Sequence, residues 1–326
     1  MKAFTYTKYG PPDVLQLTDI PIPTPSASQV LIKVHAVALN AYDWHLLTAD
    51  IFLVRFMGEG LRRPKHQILG ADVSGTVAAV GQDVTQFKPG DLVFGDIAGS
   101  SSAGLAEYAL AAENELALKP ASLSFAETAA VPMAGITALQ GLRDVANVQP
   151  GQKVMIQGAS GGVGTFAVQI AKILGAEVSA TCSSAKLELV RSLGADRVID
   201  YTQKDFTRGS ERYDVILGVN GYYSLAAYKR VLAPNGIYAM AGGKPSQIFQ
   251  AVLLGKLFSQ KNGKKLTSVS AHHSQADLVT LREWIDAGKL APVIDRSFPF
   301  GETPQAMRYL GAGHARGKIV IILEGA

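Results

Sequence analysis

One short stretch restricts this chain more than any other. The apolar run Val154, Met155, Ile156 and Gln157 ends in a turn of small residues, Gly158, Ala159, Ser160, Gly161 and Gly162. Directly after it Val163, Phe166, Ala167, Ile170 and Leu174 recur at helical spacing, and Gly175 stops the pattern. Strand, tight glycine turn and helix in this order place a helix N-terminus at the carboxyl end of a strand. Such a terminus offers free N–H groups and the positive end of the helix dipole, and glycine lets a pyrophosphate approach the backbone. The G-x-G-x-x-G pattern appears as Ala159, Ser160, Gly161, Gly162, Val163 and Gly164, with alanine in the first glycine slot. An ordinary strand-to-helix turn without a ligand is the plain alternative.

The stretch sits inside a longer alternation of strands and helices that starts near residue 123. Strands are expected at residues 153–157, 177–182, 197–200, 214–217, 236–240 and 266–270, with helical patterns between most of them. Six strands with the glycine turn after the first form a doubly wound parallel sheet. Residues 1–122 read differently, as short alternating runs broken by Pro and Gly turns such as Lys88, Pro89, Gly90 and Asp91; the whole segment reads as β and suggests a barrel-like unit. After Leu290 the β character returns, and the run Lys318, Ile319, Val320, Ile321, Ile322 is expected to close that first unit. The expectation is an α/β chain of two domains, residues 1–122 completed by 291–326, and residues 123–290; 326 residues exceed one comfortable core.

Three segments sit outside that alternation. A loop at 51–66 carries Arg55, Arg62, Arg63 and Lys65 and reads as a solvated surface. The apolar segment at 245–260 reads as a helix near a ligand cleft or a subunit contact. A further helix is expected at 274–288, with Leu278, Leu281 and Ile285 on one face.

The formal net charge of +4 suits an anionic cofactor and gives no argument for nucleic acid. Cys182 is the only cysteine, which excludes an intrachain disulfide and a cysteine-rich zinc cluster. No apolar run reaches membrane-spanning length and the N-terminus reads as a strand, so a cytoplasmic location is expected, with peripheral membrane contact left open.

An NAD site commonly carries Asp or Glu about 20 residues past the glycine turn, on the ribose hydroxyl. Here that place falls near Thr181, followed by Ser183, Ser184 and Lys186, and no carboxylate is present. Two hydroxyls and an ammonium suit a 2′-phosphate, which favours NADPH. Tyr201 is placed to add a hydroxyl to the same pocket. The alternatives are helix capping for the serines and a solvated helix face for Lys186.

The chain resembles a medium-chain dehydrogenase/reductase of the zinc-free quinone oxidoreductase branch over nearly its whole length. The matching stretches are Asn40, Tyr42, Asp43 and Trp44; residues 69–75, 88–93, 129–133, 149–152 and 158–164; and the closing residues 313–318. The resemblance implies a GroES-like β domain and a Rossmann domain. On the positions that hold catalytic zinc in zinc-dependent relatives it sets Asn40, Ala71 (followed by Asp72) and Met133, so no metal is expected. Without a Lewis acid, hydride transfer to an already activated acceptor, a quinone or an α,β-unsaturated carbonyl, is the implied chemistry. An alcohol or carbonyl dehydrogenase is the enzymatic alternative, and a mainly non-catalytic nucleotide-binding protein the other.

By the same resemblance Asn40, Tyr42 and His45 line the catalytic segment, with His45 as a donor to the developing oxygen anion; Asp43 is expected to be structural. Thr137 is expected beside the nicotinamide. Asn220, Gly242 and Gly243 follow the fourth and fifth strands, at the sheet edge where ligands bind. A small-molecule substrate and a homodimer through residues 266–270 complete the expectation.

Overall fold

The computed structural model describes residues 1–51, 60–100, 103–242 and 263–323. Gly243, Arg55 and the apolar segment 245–260 lie outside the described residues. Packing divides the chain into two compact units, Met1–Ala134 with His273–Gly288 and Pro292–Ala326, and Gly135–His272 with Lys289–Ala291. Helices α2 (Phe125–Ala129) and Gln275–Asp286 therefore lie with the first unit, although the switch to helical patterning at residue 123 sets them with the second. The reason is local. Gln275 Nε2 donates to the Glu113 and Leu116 carbonyls, at 3.3 and 2.8 Å, and Ser74 Oγ donates to the Phe125 carbonyl at 2.6 Å.

The first unit is built on the eleven-residue strand β3 (Gln29–Leu39), buried along most of its length. It pairs antiparallel with β4 (Asp72–Val80), β6 (Tyr108–Ala112) and β15 (Lys318–Ile322). Strands β5 (Leu92–Asp96) and β7 (Leu116–Leu118) extend the sheet beyond β4, and β14 (Ile294–Pro299) lies outside β15; β1 (Lys2–Thr5) and β2 (Gln16–Asp19) form a separate pair. The closing strand thus completes the first unit, Ile319 facing Leu39 and Ile321 facing Val37. Arg62, Arg63 and Lys65 are exposed, as a solvated loop requires.

Two helices in this unit escape a reading of residues 1–122 and 291–326 as β. Helix α1 (Ala41–Thr48) buries only Asp43, Leu46 and Leu47, so no apolar stripe announces it. Its start is marked instead by polar chemistry, since Asp43 Oδ2, three residues on, accepts from the Asn40 backbone N–H at 2.8 Å. Helix Thr303–Gly311 buries Thr303, Ala306 and Met307, and ends on a glycine whose missing side chain makes room for the Trp44 ring of α1.

The second unit is a parallel sheet of six strands. They are β8 (Lys153–Gln157), β9 (Glu177–Cys182), β10 (Arg197–Asp200), β11 (Tyr213–Gly218), β12 (Leu232–Met240) and β13 (Lys265–Ser268), in the spatial order β10-β9-β8-β11-β12-β13. The chain thus runs outward from the central β8 in one direction, returns, and runs outward in the other, the doubly wound order. Val154, Met155, Ile156, Val178, Ile216 and Leu217 are fully buried, because helices cover both faces of such a sheet.

Candidate active site

At the carboxyl end of the central strand the chain turns at Gly158, which has φ of 78°, a left-handed conformation that suits glycine. Gly158, and not the Ala159 of the first glycine slot, makes the tight turn. Ala159 is fully buried and its N–H donates to the Thr181 carbonyl at 3.1 Å, tying the turn to β9. Helix α4 (Gly162–Ile173) then starts with Gly161 as its N-cap, and no side chain caps it. The first N–H groups of a helix have no acceptor within it, so those of Gly162, Val163 and Gly164 stay available to an anion. Gly164 packs directly on the turn: a Cβ there would stand 2.1 Å from the Gly158 carbonyl oxygen and 2.7 Å from the Ala159 Cα. A Cβ on Gly161 would meet only the Gly158 carbonyl oxygen, at 3.7 Å. Ser160, in the turn itself, is buried.

The other strand ends of the sheet meet this turn. The N–H of Val219 donates to the Gln157 carbonyl at 3.1 Å, and that of Gly221 to Gly242 at 3.3 Å, which gathers Asn220 and Gly242 at the same edge. Gly242 has φ of 150° and lies against the Val219 carbonyl. Thr137 is half-buried in helix α3 (Pro132–Gln140). Beyond β9, Ser183 starts a short helical turn over Ser184–Lys186 without capping it through its side chain, so the capping alternative does not account for that hydroxyl. Ser184 is different. Its Oγ donates to Asp200 Oδ2 at 2.5 Å, and Thr202 Oγ1 donates to Asp200 Oδ1 at 2.7 Å. Tyr201 is 44 % exposed and meets the Tyr222 ring edge-on at 6.0 Å.

Beneath the turn lies a polar cluster that no sequence pattern announced. Tyr228 Oη donates to Gln157 Oε1, and the Tyr228 and Tyr238 rings stack at 4.2 Å. Only the polar end of an otherwise apolar strand, Gln157, hinted at it.

The first unit holds a second cluster, and among the expected residues Asn40 and Asp43 belong to it. Asn40, Asp43 and Asp72 are buried, as is Lys318, which is 3 % exposed. The Lys318 ammonium donates to Asn40 Oδ1 at 2.5 Å and to Asp72 Oδ2 at 2.9 Å. Asn40 Nδ2 donates to Asp72 Oδ2 at 2.9 Å and to the Ala38 carbonyl at 3.3 Å. Met133 N–H donates to Asp72 Oδ1 at 2.9 Å. Both hydrogens of the Asn40 amide are thus engaged inside the protein, and its carbonyl oxygen already accepts from Lys318, so the side chain is committed to the cluster. Tyr42 is half-buried against the core of this unit. His45 is half-exposed, with Nδ1 2.8 Å from Asp50 Oδ1.

Asp43 bridges α1 and the following loop, since its oxygens accept from Asn40 N and Gly70 N at 2.8 and 2.9 Å. Burial pushes its carboxyl up from 3.8 to about 6, against the pull of those two N–H groups. A raised folded-state value means that the native protein binds the proton more tightly than the unfolded chain does. Asp43 then contributes most below pH 3.8, and this contribution is lost as pH rises to about 6. The stability advantage of the wild type over Asp43→Asn is therefore expected to narrow across that window and stay level above it. Urea midpoints for both proteins over the same pH series measure it; an advantage that grows with pH contradicts the assignment.

Residues 26–140 match the family described as alcohol dehydrogenase GroES-like domain, and residues 193–321 that described as zinc-binding dehydrogenase. A 2-methylene-furan-3-one reductase of Solanum lycopersicum is 37% identical over 98% of this chain and 79% of its own. The mitochondrial NAD(P)H oxidoreductase RTN4IP1 of Mus musculus is 34% identical over 98% of this chain and 89% of its own. The solved quinone oxidoreductase from Coxiella burnetii superposes with a TM-score of 0.88 at 31% identity, covering 99% of both chains. The chain belongs to the quinone oxidoreductase branch of the medium-chain dehydrogenase/reductases.

The carboxylate nearest the zinc positions, Asp72, already holds an ammonium, an amide and a backbone N–H, so these residues do not fit a metal ion. Among the described residues no helix is long and apolar enough to cross a membrane. The mitochondrial relative shows that membership of the branch does not imply the cytoplasmic location expected from the sequence.

Proposed function

We propose that this medium-chain dehydrogenase/reductase is a zinc-independent, NADPH-dependent reductase of quinones or α,β-unsaturated carbonyls. The observation that carries the reading is the glycine turn. Its backbone closes only with no side chain on Gly164, and it presents the α4 N-terminus beside Gly161, where the backbone lies open. The amides of residues 161–164 would hold the pyrophosphate, Ser183 and Lys186 the 2′-phosphate, and Asn220 and Gly242 the far end of the dinucleotide. When bound, the cofactor supplies a hydride. The relatives named as a furanone reductase and a quinone oxidoreductase support an activated acceptor over a simple alcohol. The homodimer is carried in the same proposal, through β13, the last of the six strands in spatial order.

One observation favours a second reading of the cofactor. Asp200, paired with Cys182 at the end of β9, engages the Ser184 hydroxyl, and a carboxylate there would suit a ribose hydroxyl, which favours NADH. The test is oxidation of NADPH and NADH by chelator-treated protein, offered an ortho-quinone and a short-chain enone in parallel. Turnover that survives chelation and prefers NADPH supports the proposal; equal or better turnover with NADH returns the cofactor to the second reading. Tight cofactor binding without turnover on either acceptor leaves a binding protein. Lys186→Ala is expected to raise the Kd for NADPH roughly tenfold, about 1.4 kcal/mol, and leave that for NADH in place. Fluorescence titration with both nucleotides checks this, and an unchanged NADPH affinity removes Lys186 from the pocket.

A further inference from the structure

Helix α1 ends on Ala49, whose backbone takes a left-handed turn with φ of 47°, uncommon for a residue other than glycine. The turn folds Asp50 back toward the last turn of the helix. There Asp50 Oδ1 lies 2.8 Å from His45 Nδ1 and accepts from the Ile51 N–H at 2.9 Å. Burial would push the Asp50 carboxyl up, but the hydrogen bond and charge of His45 prevail, with help from Ile51 and Thr48, and hold it below its ordinary value. Asp50 is therefore a carboxylate at neutral pH, and a carboxylate can only accept. His45 must present Nδ1–H to it, so Nε2 is the nitrogen that exchanges a proton. The side chains are 35% and 45% exposed, so the pair is neither shut in the core nor loose in solvent.

We propose that Asp50 is a positioning residue that fixes the ring and tautomer of His45, so that protonated His45 delivers through Nε2 the proton completing the reduction of a quinone or enone. This rests on the reductase reading above. Once hydride has added to the β-carbon of an enone, the pair of the C=C bond shifts to join the α-carbon to the carbonyl carbon, and the carbonyl π pair moves to the oxygen. The Nε2–H bond then breaks and an O–H bond forms, giving an enol that tautomerises in water to the saturated ketone. The ring is left neutral and takes its next proton from water, while Asp50 neither gains nor loses one. A carboxylate that holds an imidazole in this way stabilises the cationic ring and the productive tautomer.

In the full-length protein with NADPH and 3-penten-2-one, Asp50→Asn is expected to lower kcat roughly tenfold to a hundredfold. KM for the enone should stay within about twofold, as expected for an interaction used only in the transition state. Asp50→Glu should keep more of the rate than Asp50→Asn, and added imidazole should raise the rate of His45→Ala. Wild-type kcat in Asp50→Asn, or a His45→Ala rate that imidazole does not raise, overturns the proposal. The tautomer of His45, one of six histidines, is also visible in nitrogen-15 spectra without any turnover. The Nδ1–H form is expected in the wild type and its loss in Asp50→Asn; an Nε2–H form in both overturns the positioning role. A wild type that reduces no quinone or enone refutes the reductase reading, and the spectra then still decide the positioning claim.

Discussion

Replacing Lys318 with methionine is expected to destabilise the first unit by roughly 3–5 kcal/mol, the usual cost of removing one partner from a buried ion pair. Methionine keeps the length of the side chain and removes the cation. Asp72 would then face the interior with only Asn40 Nδ2 and the Met133 N–H as donors. Burial already pushes the Asp72 carboxyl up, and Lys318 opposes that push. Without the ammonium the folded-state value rises further while the unfolded one does not move. The deficit should therefore be largest at neutral and alkaline pH and shrink as pH falls and the carboxyl takes up a proton. A double variant, Lys318→Met with Asp72→Asn, should recover most of the loss, because the stranded charge is gone. Equilibrium urea unfolding of the wild type and both variants, at neutral and mildly acidic pH, decides the matter. Wild-type stability in the single variant at both values would mean that the pair carries no such energy.

That cluster also shows what a sequence hides. Lys318 stands in a strand of Ile and Val, 246 residues from the aspartate it neutralises, and nothing local to either residue reveals the other. The glycine turn was legible because its constraints are local: one left-handed residue, one close backbone contact and a helix start within seven positions. The central parallel strands β8 and β11 were legible because burial on both faces leaves unbroken apolar runs, whereas β10 and β13 at the edges bury one residue each and owe their recognition to the alternation with helices. Helix α1 was not, since it buries two leucines and an aspartate and draws its start from a side-chain carboxylate. Ser184 could be read as a phosphate ligand because the sequence gives no sign that Asp200, sixteen residues on, takes its hydroxyl. Asn40 likewise reads as lining the catalytic segment, and nothing in the sequence shows that both its amide hydrogens go to Asp72 and Ala38.

Two alanine substitutions in the glycine turn should separate its structural role from its role toward a cofactor. Gly164→Ala sets a methyl 2.1 Å from the Gly158 carbonyl oxygen, and both that atom and the nearby Ala159 Cα belong to the backbone, so the turn itself has to move. Overpacking of this kind costs roughly 1–3 kcal/mol of stability. With the turn displaced, NADPH binding is expected to weaken roughly a hundredfold, about 2.7 kcal/mol. Gly161→Ala meets the fold differently. Its φ of −89° suits any residue, and the added methyl finds its nearest neighbour at 3.7 Å, an ordinary contact. Urea unfolding should barely register it. If the open space beside Gly161 is where the pyrophosphate approaches, NADPH affinity should nevertheless fall about tenfold or more. Stability that drops for Gly164→Ala alone, with affinity lost in both, ties the turn to the anion. Wild-type NADPH affinity in Gly161→Ala would mean that the phosphates bind elsewhere, and the glycines would then serve only the packing of α4 on β8.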